Sequence, residues 1–406
     1  MMVTRLKHEG IFMKTRKNLV AASFLLILIA FSSIGAAHAI EVTGTVSVQQ
    51  VPSGLAYDPA KNEVFVVNTN AGTVSVISDS NNSVVATIPL GNPVPIGVAT
   101  WIAYDSGTGE LFVSLSFARN GKVAVISDSS NIVVDTITVG GEPEGVAYDP
   151  GKGEIFVANA LSDVVSVISD KTDAVVANVT TEYGTSAIAY GRGEVFAANI
   201  PPNNRSNPTA ESDTVSVISD SNNTVVANIT VGNSPQSVAY DAGKNEMFVA
   251  NLDSETISVI SDKSNSVIKT LSVGNYPYMI AYDQPNGELF VTCSNGTGLV
   301  DPNSLVGTVS VISDNSNTVT ANITLGGPRS SGAGVVYDSA KSEVFIADSF
   351  LGTVSVISDV AIITSVSPTP TVSEFSVQTL VLVTAVVAVV SVAFTVVSRR
   401  LRRFSC

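Results

Sequence analysis

Aspartates at fixed places are the first residues in this chain whose type and spacing could do chemistry. One set closes the dipeptides Tyr57-Asp58, Tyr104-Asp105, Tyr148-Asp149, Tyr240-Asp241, Tyr282-Asp283 and Tyr337-Asp338, with Tyr190-Gly191 as the exception. A second set ends seven Ile-Ser-Asp triplets, at Asp79, Asp128, Asp170, Asp220, Asp262, Asp314 and Asp359. Repeated carboxylates on one face suit a hard cation, so one reading is a set of Ca²⁺ sites. The other reading is local, with each carboxylate accepting from backbone N–H two residues on and closing its own turn. No stretch has the alternating Asp-x-Asp-x-Asp spacing of a calcium loop, and Asp170-Lys171-Thr172-Asp173 comes nearest. Turn closure is the expectation, and no catalytic, cofactor or metal residue is assigned.

Other reactive groups are scarce. His8 and His38 both precede residue 40, within an N-terminal segment that reads as a removable leader. A mature chain without histidine excludes Ser-His-Asp and Cys-His catalysis and every His-ligated metal. Cys406 ends the chain on the far side of an apolar segment from Cys293, so the body has no internal disulfide. Cys293 itself reads as a buried thiol in place of a small residue. Seven glutamates open Glu-apolar-Phe triplets that end at Phe65, Phe112, Phe156, Phe196, Phe248, Phe290 and Phe345. A residue present in every repeat suggests scaffold rather than catalysis. Pairing with Lys61, Lys152, Lys244 and Lys341 in the preceding turns is the expected role.

The ends of the chain carry targeting signals. Lys14, Arg16 and Lys17 precede an apolar run from Leu19 to Ile34, and Ala37-His38-Ala39 offers a small-x-small cleavage pattern. Residues 1–39 therefore read as a secretory signal, a retained N-terminal anchor being the rival. Residues 376–398 read as a transmembrane helix. Val377 to Val397 is uncharged, and at ~1.5 Å per residue it spans the ~30 Å of a hydrocarbon core. Arg399, Arg400, Arg402 and Arg403 follow, which places residues 399–406 in the cytoplasm. A Pro/Thr/Ser linker covers 367–375. The protein is expected at the cell surface, single-pass, with its N-terminus outside.

The exported part carries 34 Asp+Glu against 12 Lys+Arg. That field repels phosphate backbones, so no nucleic-acid partner is expected.

Repetition sets the architecture. The interval between successive Ile-Ser-Asp aspartates runs from 42 to 52 residues. Each repeat reads as four short strands rich in Val, Ile, Phe and Thr, in the fifth repeat Ser237–Tyr240, Glu246–Ala250, Thr256–Ile260 and Ser266–Val273. One such sheet cannot bury both faces, whereas seven packed around an axis can. The expected fold is all-β, a seven-bladed β-propeller of four-stranded blades over residues 40–366. Gly44-Thr45-Val46-Ser47-Val48 resembles a fourth strand without its first three, so an N-terminal strand should close the last blade. Ile362–Val366 is the rival for that place.

The unit Val-Ala-Tyr-Asp…Glu-Met-Phe-Val-Ala-Asn…Ile-Ser-Val-Ile-Ser-Asp…Val-Gly-Asn, residues 238–275, resembles the YVTN repeat of bacterial and archaeal surface-layer-like proteins. The resemblance recurs seven times and covers residues 42 to about 366. It implies a propeller with an adhesive or scaffold role at the cell surface and little catalysis. Ser373-Glu374-Phe375 also resembles an archaeal Pro-Glu-Phe processing signal, with Ser373 in place of Pro.

Recognition is expected on the face opposite the aspartates, where the loops after the second strands emerge. Two of those loops are long, 200–213 and 294–307, and a rigid array often binds through such excess. Asn204, Arg205, Asn295, Asp301 and Asn303 are the candidate rim residues there. Trp101, the only tryptophan, joins them either as a stacking platform or as a packed ring. Asn81, Asn178, Asn204, Asn222, Asn228, Asn295 and Asn322 begin Asn-x-Ser/Thr sequons and are candidate glycosylation sites. The expected function is binding, adhesion or envelope scaffolding, not catalysis, with an extracellular protein or glycan, or another copy, as partner. The alternative is a Ca²⁺-dependent propeller lactonase or hydrolase, which needs carboxylates or amides converging on the channel. The first strands offer Gly54-Leu55-Ala56, Gly145-Val146-Ala147 and Ser237-Val238-Ala239, which are small and largely apolar and speak against it.

Overall fold

Alternation of apolar residues with turn formers gives seven antiparallel four-stranded sheets among the described residues. The structure, a computed structural model, describes residues 40–358 except 92–98, 118, 183, 201–212, 296–305, 327–329 and 331. The segments expected to be signal, linker, transmembrane helix and tail, residues 1–39 and 367–406, lie outside the described residues. Among those described, no helix is long and apolar enough to cross a membrane.

Blades are numbered here by their innermost strands: Pro52–Asp58, Ala99–Asp105, Pro143–Asp149, Thr185–Gly191, Pro235–Asp241, Pro277–Asp283 and Gly332–Asp338. These seven strands pack side by side right round, the seventh blade against the first. The chain forms a seven-bladed β-propeller. Its clasp is N-terminal: Glu41–Ser47 pairs antiparallel with Thr353–Ser358 and supplies the outermost strand of the seventh blade. Packing around the axis explains the strand patterns. Second and third strands lie between neighbouring blades and are buried along almost their whole length, as in Glu246–Asn251 and Thr256–Ser261. Outer strands such as Thr224–Thr230 meet solvent and alternate. Each of the seven triplet phenylalanines has no exposed surface. They fill the seams between blades.

In five blades the turn after the third strand keeps an asparagine in the left-handed region, as at Asn82 (φ 51°) and Asn223 (φ 54°), and blade three has Asp173 there (φ 48°). Asparagine tolerates that conformation better than most residues, which accounts for the Ser/Asn-rich turns in the sequence.

Candidate functional site

The aspartate face comes first because its residues recur most regularly. Asp241 is fully buried, and its Oδ1 accepts from the N–H of Gly243 at 2.7 Å and of Lys244 at 3.2 Å. Asp58, Asp105, Asp149 and Asp338 repeat this pattern. The turn reading holds for these positions. Each of these carboxyls lies beside a tyrosine of a neighbouring blade. Asp241 lies beside the phenol of Tyr282, which also donates to Asp314 at 3.1 Å. Burial and then these carboxylates hold that phenol well above its usual range. Asp241 Oδ2 is buried without an aligned donor, and the Tyr282 phenol approaches this carboxyl while its hydrogen bond goes to Asp314.

The lysines go beyond expectation. Lys61 reaches Asp128 at 3.1 Å and Lys244 reaches Asp314 at 3.0 Å, each across a seam to the following blade. Lys341 spans the ring closure to Asp79, and Lys152 donates to the carbonyl of Asp220. Their close contacts are thus with the Ile-Ser-Asp aspartates of the next blade, while the charge of each lysine also lowers the glutamate of its own blade, as expected. The reason is geometric: a first turn lies closer to the third turn of the next blade than its sequence distance suggests. The glutamates are pushed up chiefly by burial; in Glu154, Glu246 and Glu343 the charge of Lys152, Lys244 and Lys341 offsets this first, and hydrogen bonds from Asn223, Asn317 and Asn82 of the following blades offset it further. This face ties blade to blade. Among the described residues no group of three or more His, Cys, Asp or Glu could hold a metal.

At the opposite end of the axis lies a cavity of about 500 Å³ lined from all seven blades. One residue per blade stands at the same place, five before the last residue of each Tyr-Asp or Tyr-Gly pair. In order these are Ser53, Thr100, Glu144, Ser186, Gln236, Tyr278 and Ala333. Trp101 and Met279 join them. Sequence reasoning missed this set, because the triplets it weighed begin one residue later. Those triplets mostly pack between blades. A Cβ on Gly54 would lie 2.7 Å from the carbonyl oxygen of Thr100. The lining is therefore not the small apolar surface expected of the channel.

Two blades supply the aromatic walls, and both carry the same supporting change. Each inner strand breaks register with its neighbour near the lining, as between Ala99 and Ile102 and between Pro277 and Ile280. In blade two, buried Ser114 accepts from the N–H of Trp101 at 3.0 Å and lies 3.0 Å from the Thr100 hydroxyl. In blade six, buried Thr292 accepts from the N–H of Met279 at 3.0 Å. Other blades have Val67, Ala158, Ala198, Ala250 and Ala347 at that position. The hydroxyl satisfies backbone that the broken register leaves unpaired.

Trp101 sits in an inner strand, packs partly buried against three separate core clusters, and presents surface to the cavity. Ser53 and Ser186 direct their hydroxyls to carbonyls of the following blades, Thr100 at 3.0 Å and Pro235 at 3.3 Å. Glu144 is the one ionisable acid in the described lining, and no lysine, arginine or histidine lines it. Burial raises the Tyr278 phenol, and the charge of Glu144 raises it further, so the two groups share one electrostatic environment.

Of the rim candidates, Asn204, Arg205, Asp301 and Asn303 lie outside the described residues. Asn295 ends the strand Glu288–Asn295, its backbone opposite Val306. Ile200 and Ser294, at the feet of the two long loops, line the cavity. Among the sequons, Asn178, Asn228 and Asn322 are exposed on outer strands, each accepting from a third-strand serine, at 2.9 Å for Asn178. Asn81 and Asn222 are exposed in turns. Cys293 is buried as expected, its thiol pushed up by burial, but it replaces the asparagine of blades one, three, four and five rather than a small residue.

No family model matches this chain, and no curated protein matches it in sequence. Among solved structures it is similar to the hydrazine synthase of Kuenenia stuttgartiensis. The TM-score is 0.62 at 16% identity, over 76% of this chain and 96% of that one. That likeness shows the propeller alone.

Proposed function

We propose that this is a cell-surface binding protein, exported by residues 1–39, held by residues 376–398, and recognising its partner with the cavity face. The observation that carries this reading is a contrast within one strand. Tyr-Asp recurs in six of seven first strands, while the residue lining the cavity is serine, threonine, glutamate, serine, glutamine, tyrosine and alanine in turn. A scaffold needs sameness at its seams. A site for one asymmetric ligand needs difference, and the difference is concentrated at the cavity. The resemblance to YVTN repeats, the two signals at the chain ends and the acidic exported part support display outside the cell.

A second reading, an envelope scaffold that packs against its own copies, has an observation of its own. Val85, Val134, Val176, Val226 and Ile268 stand at one equivalent place on the outer strands of blades one to five, and all are exposed.

Protease treatment of intact cells that express the full chain tests display. Digestion of the propeller is expected, and full protection while lysed cells lose it would refute the reading. Adherence of those cells should fall when Glu144, Gln236 and Tyr278 are all changed to Ala at equal surface level. Hydrolysis of a lactone or ester by the full chain, abolished by Glu144→Gln, would replace binding with the enzymatic alternative.

A further inference from the structure

We infer that the axial cavity takes one hexopyranose unit of a neutral sugar, stacked on Trp101 and held through its hydroxyls by Gln236 and Tyr278. The inference rests on the binding reading above and names its ligand class. The aromatic floor comes first. Trp101, in blade two, packs against core clusters of blades two and three, four and five, and six and seven. Its ring therefore reaches across the axis and floors the cavity. An indole face carries partial negative charge and attracts the C–H side of a saturated ring, even one hydroxylated around its rim. Tyr276 and Tyr278 add two more rings to the same lining.

The polar groups point the same way. Among the described residues, nothing hydrogen-bonds the Gln236 amide, the Tyr278 phenol or the indole N–H of Trp101. All three side chains are half-buried. The amide can both donate and accept, and the indole donates. Burial holds the Tyr278 phenol above its usual range, which keeps its proton in place for donation. A purely apolar ligand would shut these groups away from water without partners, which is costly. Hydroxyls on the ligand answer them. Ser53 and Ser186 are committed to backbone carbonyls, so the groups open to a ligand lie on blades two, five and six. Glu144 is already engaged, and no basic side chain lines the described cavity, so the complement is neutral. The cavity, about 500 Å³, has room for one such ring with its substituents.

Trp101 is the only tryptophan in the chain, so its emission reports on this cavity. The full chain, in a polyoxyethylene detergent that carries no sugar head, should be titrated with the methyl glycosides of glucose, galactose, mannose, fucose and N-acetylglucosamine. Cyclohexanol and choline stand for an apolar and a cationic ligand. Saturation by at least one glycoside is expected, with cyclohexanol needing about tenfold more. Gln236→Ala should weaken the best glycoside about tenfold and leave cyclohexanol unchanged. The free reducing sugar, run beside its methyl glycoside, tells the source. Equal binding of the two fits the terminal residue of a glycan, and binding of the free sugar alone fits a free monosaccharide. Failure of every glycoside and every free sugar to saturate the signal would overturn the inference. So would cyclohexanol or choline binding the unaltered chain as tightly as the best sugar, without need of any variant. None of these results bears on protease access or on the adherence of the triple variant, so the binding reading stands or falls separately.

Discussion

The two ends of the propeller axis are built from the same repeats and do opposite things. At the aspartate end every blade offers nearly the same groups, and each group is used by its own turn or by the next blade. At the cavity end the equivalent residues differ from blade to blade, and the aromatic ones bring supporting hydroxyls in Ser114 and Thr292. Regularity marks the end that holds the ring together. Irregularity marks the end suited to a ligand. Charge follows the same division, with many carboxylates tied down at one end and a single one, Glu144, in the described lining of the other.

The comparison can be broken or sharpened by substitution. The largest effect is expected at the seam itself: Gly334→Ala drives a Cβ into the backbone carbonyl of Ser53, where the seventh blade meets the first. A loss of about 3 kcal/mol or more in denaturant unfolding is expected. Asp241→Ala should follow, at about 2–3 kcal/mol, because it frees two buried turn N–H groups and removes the carboxylate beside Tyr282. Lys244→Met should cost only about 1 kcal/mol, since a third of that lysine remains in water although Asp314 is buried. Gln236→Ala, at the cavity, should stay within about 0.5 kcal/mol of the unaltered protein.

Acidity gives a subtler contrast. Glu63, Glu110, Glu154, Glu194, Glu246 and Glu343 at the aspartate end all have folded values raised above the ordinary 4.5, chiefly by burial. The protonated form is then favoured by folding. Its contribution is fully present below about 4.5 and is lost as pH rises through the folded values. The thermal midpoint should therefore climb as pH falls from neutral toward 5. A midpoint that drops steadily over that range would show that other groups dominate.

Much of this was open to reading in the chain before any fold was known. Seven Tyr-Asp or Tyr-Gly entries, seven Glu-apolar-Phe triplets and an orphan strand read at Gly44–Val48 leave little but a closed propeller, because each feature answers a packing need that recurs in every blade. What escaped was of two kinds. Lys61 meets Asp128 because adjacent blades bring distant turns together, and distance between blades is not written in sequence separation. Glu144, Gln236 and Tyr278 were hidden by the method of comparison. Aligning blades for what they share draws the eye to Ala-Tyr-Asp, and the site lies a few residues earlier, where nothing is shared. The hydroxyls at Ser114 and Thr292 were a legible signal of the same kind, since they interrupt a column of alanine and valine.

A side-by-side thermal melt of the full chain tests this division most directly, with alanine at Asp58, Asp149 and Asp241 in one set and at Thr100, Glu144 and Gln236 in the other. If one end is frame and the other is site, midpoints of the first set fall well below the unaltered protein while those of the second cluster around it. Overlapping midpoints, or a second set that melts lower than the first, would contradict it.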